Sequence, residues 1–246
     1  MSWEIDKTKS VLFMGASHIE KGINPEYFPS AINIASGSER YMFTFLKLKK
    51  LLNANKHIDT LFLQFAPTDI QKNTDSKYFN KGEMSYFTPL YFPYFNDHEW
   101  SIYSKHYYSV LKFLIQKSLK IIPFDIHGFG DYKKNIGEFN RNKKASPSRK
   151  WLEAGHTINY FYLDQIIELC KKHKIKLNLA YMPMFNKEFY YDIDYFYNTY
   201  RNKYSNIRFL DFSDWDCPDS YRKDEHHLNN IGADNFTKYF KQNVKP

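Results

Sequence analysis

The chain has 246 residues, 43% of them hydrophobic, enough to bury the core of one large α/β domain or two small ones. The formal net charge is +8, but Lys133, Lys134, Arg141, Lys143, Lys144, Arg149 and Lys150, set against Glu138 alone, carry +6 of it. The rest of the chain is near neutral, and the basic segment has only Phe139 among its cations, a pattern that excludes a nucleic-acid-binding module.

In chain order, Val11–Met14 reads as a first strand and Ala31–Ala35 as a short second one. Ser36 and Glu39 have the spacing of a capping box, and Tyr41, Phe45, Leu48 and Leu52 then recur on one helical face. Ile58–Phe65 is a strongly apolar strand that stops at Ala66-Pro67-Thr68-Asp69. Residues 70–102 read as irregular, with Pro89, Pro93 and eight aromatic residues from Tyr86 to Tyr103. A helix is predicted from about Tyr103 to Ser118, followed by Ile121–Phe124 and the basic segment. The remaining predicted elements are a helix over 157–172, a strand over Leu177–Tyr181, a helix over 187–204, a strand over Ile207–Phe212 and a closing helix over 229–241.

Strands separated by helices predict an α/β fold with a mostly parallel sheet covered on both faces. The whole chain, 1–246, is expected to form one domain, with an aromatic insertion at about 70–102 and a basic one at about 131–150. Ser17, Gly37 and Asp69 each lie just past a predicted strand, so all three fall on the rim where open α/β sheets place their sites. The two cysteines, Cys170 and Cys217, suggest neither a disulfide framework nor a zinc site, and no metal or other cofactor is expected. No apolar run reaches the length of a membrane span, and Met1–Lys7 lacks the core of a signal peptide. A cytoplasmic location is the expectation, at a membrane surface if the basic segment meets acidic lipid.

The chemistry is concentrated at the two ends. Gly15-Ala16-Ser17 closes the first strand, and Asp224-Glu225-His226-His227 precedes the last helix. Serine, histidine and carboxylate are the parts of a nucleophilic triad, in which the base removes the hydroxyl proton and the acid orients the base. These blocks, with Asn33-Ile34-Ala35-Ser36-Gly37 between them, resemble the SGNH (GDSL-type) hydrolases, a superfamily of esterases and acyltransferases. The resemblance runs from about residue 10 to about 240 and is most specific in the terminal block. It implies a three-layer, flavodoxin-like α/β/α sandwich with a parallel sheet of about five strands. It also implies Ser17 as nucleophile, His227 as base, Asp224 as orienting acid, and the N–H groups of Ser17 and Gly37 in an oxyanion hole. Thr68 stands where the family carries an asparagine as third oxyanion donor, and Ala16 stands where it carries an aspartate.

Plainer readings exist for each residue. Ser17 and Asp224 are both good helix N-caps. His226 competes with His227, although the three-residue spacing from Asp224 favours the latter. His18 is expected to pack at a helix start or line the cleft, Asp69 to cap a helix or hold neighbouring loops, and His127 to be a loop residue. The aromatic insertion is either a sugar-stacking wall or a satellite core. The expected function is a serine-dependent O-acyl hydrolase or O-acyltransferase, with acetyl the expected group. Its partners are an acylated carbohydrate, or an acyl donor and a glycan acceptor. The rivals are a non-catalytic glycan-binding or assembly protein and, from the basic segment, a transferase of a phosphate-bearing group.

Overall fold

A computed structural model describes residues 3–70, 78–79, 81–105, 130–137, 139, 158–185 and 192–244. Five strands form one parallel sheet: β1 (Val11–Met14), β2 (Ala31–Asn33), β3 (Thr60–Gln64), β4 (Lys176–Tyr181) and β5 (Arg208–Asp211), in the order β2-β1-β3-β4-β5. That order is the flavodoxin-like one, with β1 at the point where the winding reverses. The described helices are α1 (Ser17–Gly22), α2 (Tyr41–Ala54), α3 (Pro67–Ile70), α4 (Lys81–Tyr91), α5 (Asp97–Ser104), α6 (Ile158–His173), α7 (Ile193–Lys203) and α8 (Asn230–Asn243).

Alternation along the strands sends neighbouring residues to opposite faces. Leu12, Met14, Leu61, Leu63, Leu179 and Tyr181 enter a broad core with residues of α2, α4, α6 and α7. Phe13, Phe62 and Ala31 enter a second, smaller core with Ile19 of α1 and Phe236 and Phe240 of α8. In that smaller core Phe13 stacks on Phe62 at 4.9 Å and meets Phe240 edge-on at 5.7 Å. The layers are therefore helix, sheet and helix, as expected.

Several local expectations change. Strand β2 ends at Asn33, not Ala35, because Asn33 is a polar tie: its amide donates to the carbonyls of Ile19 and Ile23, and its oxygen accepts from the Ala35 N–H. The Ser36–Glu39 capping box does not form. The N-cap of α2 is Arg40, and Glu39 turns inward to accept from Thr44 Oγ1 at 2.8 Å and Lys47 Nζ at 2.6 Å. Much of the stretch read as irregular is helical. Pro89 lies in the last turn of α4, Pro93 lies in the 3-10 turn Phe92–Tyr94, and Asn96 with Glu99 makes a true capping box for α5. Prolines here end helices rather than prevent them.

The aromatics of that stretch divide. Tyr78, Phe87, Tyr91 and Tyr103 are buried in the broad core, with Phe43 stacked on Phe87 and Tyr91 at 5.0 and 5.3 Å, whereas Tyr86, Phe92 and Trp100 stay exposed. The predicted helix over 103–118 and the strand-like Ile121–Phe124 fall almost wholly outside the described residues, as do His127 and the basic residues beyond 139. Among the described residues no helix is long and apolar enough to cross a membrane.

Candidate active site

The site begins where β1 ends. Gly15 has φ +139, and a Cβ there would lie 2.4 Å from Gln64 Cβ on the adjacent strand, so only glycine fits this turn. The chain then enters α1 with Ala16 at the cap position and Ser17 as the first helical residue. The Ser17 hydroxyl caps nothing; it lies 2.8 Å from His227 Nε2.

The other half is a tight hairpin. Arg222 and Leu228 form an antiparallel bridge, and the Lys223 N–H donates to the His227 carbonyl at 2.9 Å. At its tip the Asp224 carboxylate accepts from the N–H groups of His226 and His227 at 2.8 and 2.9 Å. Both carboxylate oxygens also stand 2.9 Å from His227 Nδ1. Partial burial works against the charge on Asp224, but the hydrogen bond and charge of His227 and the two N–H donors outweigh it. The carboxyl is held well below the usual carboxylate range. The cap of α8 is supplied instead by Asn229, whose side chain accepts from the Gly232 N–H at 2.9 Å. Asp224 is thereby left for the imidazole.

His18 and His226 complete a cluster of rings. His18 lies 5.5 Å from the His227 ring and 6.4 Å from that of His226. Burial, then the neighbouring His227 and His226, push the His18 pKa down to about 3.

Gly37 follows β2 on the same rim, where the Ser36 N–H donates to the Gly15 carbonyl at 3.0 Å. A Cβ on residue 37 would come within 3.0 Å of Glu20 Oε2, one turn beyond Ser17 on α1. Thr68, past β3, is partly exposed, and its carbonyl accepts from Arg40 Nη1 at 3.5 Å. Asp69 is buried and accepts from Gln64 Nε2 at 3.2 Å and from the Ala66 N–H at 2.9 Å. It therefore steadies Gln64, the residue packed against Gly15.

The two halves are also tied by a segment whose part in the site was not read from the sequence. Along 130–137, the Lys133 N–H donates to the Glu20 carbonyl and the Lys133 ammonium pairs with Glu20 Oε1 at 3.2 Å. The Asn135 amide donates to the Leu228 carbonyl at 2.9 Å, and its own carbonyl accepts from the Asn230 N–H. Asn229 Nδ2 reaches the Gly137 carbonyl at 3.1 Å. This strap joins the helix carrying Ser17 to the residues after His227. Charge alone had marked the segment, and nothing local in Asn135 announces the contact. Asn33 had a signal, being a polar residue inside an apolar strand. Among the described residues, no group of three or more His, Cys, Asp or Glu could hold a metal ion.

No protein-family model matches the chain, and comparison with curated protein sequences returns no match. Among solved structures, the chain is similar to one described as a candidate platelet activating factor from Streptococcus pneumonia, at 14% identity and TM-score 0.48, covering 96% of this chain and 84% of the other. It is also similar to a candidate acylhydrolase from Bacteroides fragilis NCTC 9343, at 14% identity and TM-score 0.44, covering 95% of this chain and 85% of the other.

Proposed function

We propose that the chain is a serine-dependent O-acyl hydrolase or O-acyltransferase of the SGNH type, acting on a carbohydrate. The observation that carries this reading is the unbroken line from Asp224 through both nitrogens of His227 to the Ser17 hydroxyl, with contacts of 2.9 and 2.8 Å. In such a line the carboxylate fixes the tautomer that leaves Nε2 free to accept, and it stabilises the imidazolium that forms.

The step follows from that arrangement. His227 Nε2 takes the Ser17 proton as the oxygen attacks the ester carbonyl. The new O–C bond places negative charge on the former carbonyl oxygen, to be met by the N–H groups of Ser17 and Gly37. Preset donors of this kind are worth roughly 3–4 kcal/mol each. Collapse expels the alkoxide, which takes the proton from His227 and leaves an acyl-serine. Water or a sugar hydroxyl, deprotonated by the same imidazole, then carries the acyl group away. The Thr68 hydroxyl is the proposed third donor, and exposed Tyr86, Phe92 and Trp100 offer flat faces for a sugar.

Labelling with a fluorophosphonate probe, mapped by mass spectrometry, tests the reading. Modification of Ser17 is expected in the wild-type chain and none in Ser17→Ala. A folded wild-type chain that leaves Ser17 unmodified overturns it in favour of a non-catalytic glycan-binding protein.

A further inference from the structure

We infer that His18 is a positioning residue for His227: its ring lies against the face of the base and stops that imidazole from turning away from Ser17. The inference rests on the hydrolase reading and adds a residue to it. The Asp224 carboxylate grips His227 at one ring nitrogen, with both oxygens 2.9 Å from Nδ1. That grip resists turning about the Cβ–Cγ bond, but it is made at one nitrogen and relaxes whenever those hydrogen bonds lengthen. A surface against the face of the ring adds a second, independent restraint on the same rotation. His18 supplies it, with ring centroids 5.5 Å apart and planes inclined by 30°. His226 stands edge-on to both rings, at 6.4 Å from His18 and 6.3 Å from His227.

The chemistry of His18 leaves it little else to do. Its Nε2 is buried with no hydrogen-bond partner among the described residues. Burial first, then the neighbouring imidazoles and Lys21, against the opposing pull of Asp224, hold the His18 pKa down to about 3, so the ring is neutral near pH 7. It therefore neither takes nor gives the reaction's proton. A neutral flat ring beside an imidazolium is attractive rather than repulsive, so the same contact favours the charge that His227 acquires as Ser17 attacks.

This requires a flat ring at position 18 and no ionisable nitrogen. With p-nitrophenyl acetate as substrate and the fluorophosphonate as probe, the full chain carrying His18→Phe is expected to keep kcat within about threefold of wild type. His18→Ala and His18→Leu are expected to lose about tenfold in kcat with KM within about twofold, because the ground-state site is intact and only the aim of the base is lost. Leucine fills the space without a plane, so it separates flatness from bulk and replaces alanine should that variant misfold by circular dichroism. A leucine variant as fast as the phenylalanine one overturns the inference, as does a folded phenylalanine variant that is tenfold slow. In either case Ser17 in the wild type still labels. A folded wild type that neither labels nor turns over substrate is the separate outcome in which the hydrolase reading fails and takes this role with it.

Discussion

The two faces of the sheet are held by different means. The broad face is packed by α2, α4, α6 and α7 with large buried rings such as Tyr78, Tyr91, Tyr162 and Phe196, and it encloses the Glu39–Lys47 ion pair, both side chains wholly buried. The narrow face is covered, among the described residues, chiefly by α1 and α8. Its geometry is set by asparagines: Asn33 beneath α1, Asn229 at the start of α8 and Asn135 in the strap between them. Apolar packing is strong but weakly directional, whereas hydrogen bonds to named carbonyls fix positions. The candidate reactive groups stand at the end of the narrow face, at the starts of the two helices that cover it. On the proposed reading, the broad face supplies stability and the narrow face supplies aim.

Substitutions should separate these two functions. The largest effect is expected on the narrow face. Ser17→Ala or His227→Ala should lower p-nitrophenyl acetate hydrolysis by roughly 10⁴–10⁶-fold, with little change in melting temperature. Asp224→Asn should fall near the lower end, about 10⁴-fold, because the amide selects the wrong tautomer of His227.

The next largest effect belongs to the broad face and should appear in stability alone. Lys47→Met leaves the Glu39 carboxylate buried without its cation and should cost about 3–5 kcal/mol in urea denaturation. Burial already raises the Glu39 pKa and lowers that of Lys47, against their mutual attraction. The double variant Glu39→Gln with Lys47→Met should recover much of that loss, and folded protein of either variant should still label at Ser17. A Lys47→Met chain of unchanged stability breaks the comparison.

Asn135→Ala tests the strap. It should cost only about 0.5–1.5 kcal/mol of stability for one hydrogen bond, yet slow Ser17 labelling, because the lost bond is the one to the Leu228 carbonyl beside His227. A variant that loses stability but no labelling rate would reduce the strap to ordinary packing.

The last effect is read as a slope. The folded chain protonates His18 only near about 3, whereas the unfolded chain does so near 6.5. Between those values the unfolded chain binds the extra proton, so stability should rise with pH across that window. The groups facing His18 are His227, His226, Asp224 and Lys21. His18→Phe should flatten that part of the pH–stability curve, as read from urea midpoints.

Legibility in the sequence followed the same division. All five strands stood out as short apolar runs, and the α2 face from Tyr41 to Leu52 stood out by its period. The Asp224–His227 spacing was readable because a carboxylate and an imidazole three residues apart can meet within one turn. The described part of 70–102, from residue 81 on, was misread, since its prolines and dense aromatics conceal helices whose rings enter the core. Lys47 was invisible for the opposite reason: a lysine on a helix ordinarily faces water, and only its partner Glu39 makes burial tolerable. The capping box failed through the same pair, because Glu39 had a stronger partner than the backbone.

The chain's own order of residues determined its layers and the candidate groups. Alternation and helical period are local properties, and so is the positive φ at Gly15. The tertiary structure alone decided that Ser17 meets His227, 210 positions further along the chain, that Asn135 bridges the two halves, and that the His18 ring stacks at 30° against that of His227. Such contacts depend on where separate elements dock, and docking is settled by the packing of whole faces, which no short stretch of sequence contains.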